Sequence, residues 1–175
     1  MFELVIYDAE RREERPPEMP TVNWIKVGKA CYVTLAAFFG ISVVISLLCP
    51  LLEFHRNSLA PTLYLFLRYS CHQIPSRCYW ILGSNTGLCS RCFCLYMSFF
   101  VASILLCYLK SNVVMKFGKV CLVSFLLIFP LTIDGSIQFI TTYHSNCALR
   151  SITGCLAGLG LAILSKNILR RRVAP

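Results

Sequence analysis

The chain has 175 residues, of which 57% are hydrophobic and 14% charged, and it carries a formal net charge of +9. Mean hydropathy is +0.65. Soluble domains are about 45–50% apolar and about 25% charged, so this composition excludes disorder and collagen-like repetition and argues against a water-soluble enzyme. The excess of positive charge does not read as a nucleic-acid footprint. The basic residues lie between apolar runs and at the tail, with no basic stripe interleaved with aromatics. The expected partner is therefore the lipid bilayer, and no nucleic-acid partner is expected.

In chain order, residues 1–28 form a polar, cytoplasmic segment with a mixed-charge run at 8–15 and the pair Pro16-Pro17. Its opening, FELVIY, is compatible with a short strand. The first apolar run begins only near Ala30, so no cleavable signal peptide is expected. Residues 30–52 are uncharged and long enough to cross a hydrocarbon core, which takes about 20 helical residues. Further spans are expected over 92–109, 120–140 and 151–169, giving a four-span domain over 29–169 followed by a basic cytoplasmic tail at 170–175. Gly154 and Gly158 form a small-xxx-small pattern in the last span, a packing signal. The stretch 59–69 is too short to span. Ser58 as N-cap, Pro61 in the first turn, and Leu59, Leu63, Phe66 and Leu67 on one face predict a short interfacial helix. The expected fold is an all-α membrane bundle of about four transmembrane helices, with this helix and a Cys-rich outer loop.

Orientation follows from the basic residues flanking the spans. The N-terminal segment, the 110–119 connection and the C-terminal tail hold twelve Lys and Arg, and the two loops on the other face hold five. Both termini are thus expected in the cytoplasm of a plasma or inner membrane. The Cys-rich segment, Asp134 and Arg150 then fall at the outer face.

Among the 11 cysteines, Cys71, Cys78, Cys89, Cys92 and Cys94 crowd into one short segment. Cys89-Ser-Arg-Cys92 is a CxxC pair, and Cys71-His72 stands upstream. Three thiolates and an imidazole form a donor set suited to tetrahedral zinc, the expected cofactor. The adjacency of Cys71 and His72 departs from usual ligand spacing, and it leaves His72 open as an acid/base or outer-sphere group. Redox chemistry or disulfides remain open too, because CxxC is also the dithiol motif and the outer face is oxidising. Arg91 within the pair, and Arg77 nearby, favour the thiolate under either reading. Cys31, Cys107 and Cys121 read as apolar fillers.

Six of the eight acidic residues lie in the first 18 positions, so Asp134 at the end of the third span stands out. An ionisable group at that depth is costly unless paired, which marks a functional position. Its expected partner is Arg150, opening the last span; Gln138, Asn146 and Thr153 add polar groups at the same depth. The alternative is a structural Asp–Arg pair locking two helices. His144 reads as a plain exposed residue.

The residues CHQIP-x-R, LC-x-RC with Tyr96 four positions on, P-x-x-IDG-x-x-Q and SN-x-x-LR-x-x-TG resemble, in that order, the domain of unknown function 2085 family of small prokaryotic polytopic membrane proteins. The resemblance implies a multi-span membrane protein and no established activity. Cys78 and Cys94 depart from the family pattern.

Together these features predict a metal-binding membrane protein with Cys71, His72, Cys89 and Cys92 at an outer-face site. Beside it, Asp134, His72 and Arg150 are candidates for chemistry. Arg77, Arg91, Gln138 and Asn146 would line a polar pocket for a lipid or lipid-linked anionic substrate. The alternatives are a membrane thiol–disulfide oxidoreductase using the CxxC pair, and a small permease or structural subunit.

Overall fold

The structure, a computed structural model, describes residues 24–108, 117–141 and 145–171. The strand expected at FELVIY, most of the polar N-terminal segment, Lys110 and Lys116 of the basic connection, His144, and the end of the basic tail lie outside the described residues.

Four described helices are long and apolar enough to cross a membrane: Lys26–Phe54, Ser90–Tyr108, Gly118–Ile140 and Cys147–Leu169. They belong to α1 (Trp24–Phe54), α3 (Ser90–Tyr108), α4 (Phe117–Ile140) and α5 (Cys147–Arg171), and the short helix α2 spans Leu59–Arg68. The protein is an all-α membrane bundle, as the apolar runs predicted. Exposed Val33, Ile41, Val44, Phe125 and Leu126 show why. Such side chains would be untenable in water and are at ease against lipid, so these helices are apolar around most of their circumference.

Helix α5 is the hub, packing most extensively on α3 and then on α4, while α1 packs on α3. Without a hydrophobic drive between helices in lipid, close contact depends on small residues. A Cβ added at Gly154 would run into the backbone carbonyl of Arg91 and lie 3.3 Å from the Leu95 amide; one at Gly160 would lie 3.0 Å from Leu127 Cβ. The Gly154/Gly158 pattern read in the sequence is therefore where α5 meets α3, and Gly160, outside that pattern, is where it meets α4. Gly154→Val is expected to lower stability in detergent by about 1–3 kcal/mol, the usual cost of overpacking, and thermal unfolding would measure it.

The Cys-rich segment is a hairpin as well as a loop. A helical turn at Pro75–Arg77 leads into β1 (Cys78–Ile81), which pairs antiparallel with β2 (Ser84–Cys89) in the register Ile81↔Ser84 and Cys78↔Cys89. The connecting pair Leu82-Gly83 has φ of 53° and 84°, the two positive values a tight primed turn needs. The hairpin seats on α1: Leu88 N–H donates to Ser46 Oγ at 2.9 Å, and a Cβ at Gly87 would lie 3.0 Å from Cys49 Sγ.

Helix α2 differs from expectation in two details. The Ser58 side chain makes no capping bond; Asn57 Oδ1 accepts the Leu59 N–H at 3.0 Å instead. The inward face is Ala60, Leu63, Tyr64 and Leu67, whereas Leu59 and Phe66 are exposed. The helix rotates so that Tyr64 can donate to the Asn85 carbonyl at 2.5 Å and to Glu53 Oε2 at 3.0 Å.

Candidate functional site

The three cysteines arrive from three different pieces of chain. Cys71 follows α2, Cys89 ends β2, and Cys92 lies in the first turn of α3. Their Sγ atoms all lie within 4.8 Å of one another. Four ligands around zinc at a Zn–S distance of about 2.3 Å put sulfurs about 3.8 Å apart, so this group needs only slight contraction to fit. All the cysteines in the described residues are free thiols.

Two devices hold Cys71 in place. Cys71 Sγ accepts the Cys89 backbone N–H at 3.3 Å. Gln73, at a φ of +50°, bends the chain immediately afterwards, and its Nε2 donates to the Tyr64 and Gly87 carbonyls at 2.8 Å each. A non-glycine residue in the left-handed region costs about 1 kcal/mol, and the two amide bonds linking α2 to β2 hold it there. Gln73 belongs to the CHQIP motif, but its structural role is not legible there, since a positive φ leaves no mark on a glutamine.

The electrostatics of the trio are uneven. Thiol donors at Cys89 and Cys92, and backbone N–H groups of Cys89 and Gln73, pull the Cys71 thiol down to about 2, so it stands as a thiolate at neutral pH. The same thiolate raises Cys89, chiefly as hydrogen-bond partner and then as a nearby negative charge. Cys78, outside the trio, is pushed up to about 11 by burial and by the negative sulfurs beside it. It donates to the Ile74 carbonyl and behaves as a structural thiol.

A cavity of about 280 Å³ adjoins these sulfurs, lined by Cys71, Cys89 and Cys92 together with Arg77, Arg91, Arg150 and Gln138. His72 also lines it, but His72 is exposed and lies outside the three-sulfur group. Asn146 is exposed and offers its backbone carbonyl to the Arg150 amide at 3.1 Å rather than its side chain to the cavity.

The ion-pair assignment requires a correction. Asp134 pairs with Arg91, not with Arg150. Arg91 sits in the first turn of α3, one residue before Cys92, and reaches across to α4, so the CxxC segment and the intramembrane carboxylate form one unit. Asp134 Oδ2 also accepts from Gln138 Nε2 at 2.9 Å. Gln138 donates in turn to Ser145 Oγ at 2.6 Å, and Arg150 Nε donates to the same oxygen at 2.9 Å. Arg150 therefore joins Asp134 through Ser145 and Gln138. Ser145 escaped notice because a serine in a loop is unremarkable until its own side chain is seen to be buried. Arg150 is 4% exposed and lies within electrostatic reach of Arg77 and Arg91. Three guanidinium groups thus line one cavity, with Arg91 alone paired to Asp134, and buried Arg91 Nε has no hydrogen-bond partner.

Fold and composition together define a polytopic membrane protein with a thiol-rich site at one end of its bundle. The chain belongs to the family described as "Predicted membrane protein (DUF2085)", whose model matches residues 71–164. That stretch runs from the first sulfur of the trio into α5 and includes Asp134 and Arg150. An uncharacterised protein of Methanothermobacter thermautotrophicus is 37% identical over 99 residues, 57% of this chain and 86% of the relative. An uncharacterised protein of Methanocaldococcus jannaschii is 34% identical over 96 residues, 55% of this chain and 61% of the relative. No solved structure matches.

Proposed function

We propose that the protein binds a zinc ion through Cys71, Cys89 and Cys92 at the outer mouth of its bundle and takes an anionic group into the adjoining arginine-lined cavity. The observation that carries this reading is the convergence within 4.8 Å of the Cys71 sulfur with both sulfurs of the Cys89–Cys92 pair. Three thiolates supply strong, soft donors and leave a fourth position, as in sites where zinc also meets water or substrate. Arg77, Arg91 and Arg150 supply the charge complementarity for the anion, and Asp134, whose Oδ2 accepts from Arg91 and Gln138, positions Arg91. His72 is the titratable group left at the cavity for acid/base work. The outer-face assignment is supported by the twelve-to-five bias of basic residues.

Protein purified in detergent without chelator is expected to carry about one zinc per chain, and Cys89→Ser/Cys92→Ser to carry almost none, since structural thiolate sites lose metal with their donors. His72→Ala is expected to keep the metal, because the imidazole stands outside the sulfur group. A second reading, a membrane thiol–disulfide oxidoreductase, is favoured by the Cys71 thiolate beside a CxxC pair. It predicts wild-type protein free of metal, with a gel shift on reduction that the double variant lacks.

A further inference from the structure

A second cavity, of about 480 Å³, runs between α4 and α5 and differs in character from the first. Phe129, Ile133 and Ile137 line one wall and Leu149 the other, and each of these side chains is between 41% and 45% exposed. On membrane-spanning helices that exposure faces hydrocarbon. The three α4 residues are spaced four apart, so they form one strip about 12 Å long at about 1.5 Å of rise per residue.

Asp134 and Thr153 are the hydrogen-bonding side chains among the residues lining this groove. Asp134 connects it to the arginine cavity, because its Oδ2 accepts from Arg91 and Gln138, both of which line that cavity. Asp134 lies six residues from the end of α4, and Thr153 six residues from the start of α5, so both sit about 9 Å below the helix ends. The apolar groove open to the bilayer therefore lies across Asp134 from the cavity lined by Arg77, Arg91 and Arg150, where Arg91 keeps a buried, unpartnered N–H.

We propose that the groove between α4 and α5 seats the hydrocarbon chain of an anionic lipid whose head group occupies the arginine cavity. The occupant enters sideways from the bilayer. The proposal rests on the anion-binding part of the function given above and is independent of whether zinc is present. In lipid the groove gains packing rather than hydrophobic free energy, so preference for a chain-bearing anion over a free one comes from tethering in the bilayer plus contact along the strip. Charge selects the head group: a cationic amphiphile would face Arg77, Arg91 and Arg150.

The test uses full-length protein in detergent, with hexadecyl phosphate, inorganic phosphate and hexadecyltrimethylammonium as probes, and native mass spectrometry and zinc content as readouts. Wild type is expected to retain hexadecyl phosphate and to exclude the ammonium. Ile133→Trp and, from the other wall, Leu149→Trp are expected to weaken hexadecyl phosphate about tenfold while leaving zinc and inorganic phosphate unchanged. Val101→Trp, on the exposed surface of α3, is expected to do nothing. Arg150→Gln is expected to weaken both phosphates together; if it weakens neither, the anion reading itself fails. Unchanged hexadecyl phosphate binding in both groove variants overturns the chain proposal alone. Equal binding of the ammonium overturns the placement of the head group in the arginine cavity, and a wild-type dimer that either groove variant converts to monomer overturns the proposal by giving the groove to a second copy of the chain.

Discussion

Asp134→Asn is expected to lower the apparent Tm in detergent by about 6–12 °C, with zinc content unchanged. Asp134 is 7% exposed and Arg91 22% in the ion pair that ties the start of α3 to α4. Asparagine keeps the shape and an acceptor for Gln138 but leaves the Arg91 guanidinium without a counter-ion. Breaking a buried pair from one side costs about 3–5 kcal/mol, and the residual exposure of Arg91 places this case at the lower end. In a chain of this size each kcal/mol moves Tm by about 2–4 °C. The double variant Arg91→Gln/Asp134→Asn is expected to recover a good part of the loss, because no charge is then stranded. A single variant as stable as wild type would mean that the pair holds nothing together. Loss of zinc in Asp134→Asn would mean that the ion pair positions the sulfurs as well as the helices.

The second large effect is the dependence of zinc affinity on pH, which follows from the unequal thiols. Cys71, held at about 2, is already a thiolate throughout the neutral and mildly acid range and releases no proton on binding metal there. Cys89, raised by the Cys71 sulfur, is protonated at neutral pH and must lose that proton to coordinate. The sign is therefore fixed: acid competes with zinc at Cys89, and affinity falls as pH falls. Each displaced proton costs about tenfold per pH unit, so between pH 8 and pH 6 affinity is expected to drop by about a hundredfold from Cys89 alone. Competition with a chromophoric chelator across that range measures the slope. A flat profile would mean that no protonated thiol is a ligand.

The spans were legible because a bilayer imposes a length on any apolar run that crosses it; residues 30–52 meet that length uninterrupted, and 120–140 meets it by continuing past Asp134. The hairpin was not. β2 reads SNTGLC, with Asn and Gly, which strands disfavour, and the turn is Leu-Gly rather than Asn-Gly. Two short strands seated on α1 gain their stability from that seat, and local propensity does not report it. For α2 the apolar spacing revealed a helix but not its rotation, which Tyr64 decides by reaching Asn85 and Glu53.

The same division runs through the site. The CxxC spacing, the isolated Asp134 and the arginines at 77, 91 and 150 are marked by residue type and position alone, since charge and thiol chemistry are rare and costly within an apolar chain. Which of them meet was decided by the packing of α3, α4 and α5. Arg91, rather than Arg150, reaches Asp134; Ser145 and Gln138 relay to Arg150; His72 stands apart from the sulfurs that its neighbour Cys71 joins. Ion pairs and sulfur clusters depend on distances of a few ångströms between residues far apart in the chain; the glycines that let α5 close on both neighbours set them for the ion pair, and the Gln73 bend sets them for Cys71.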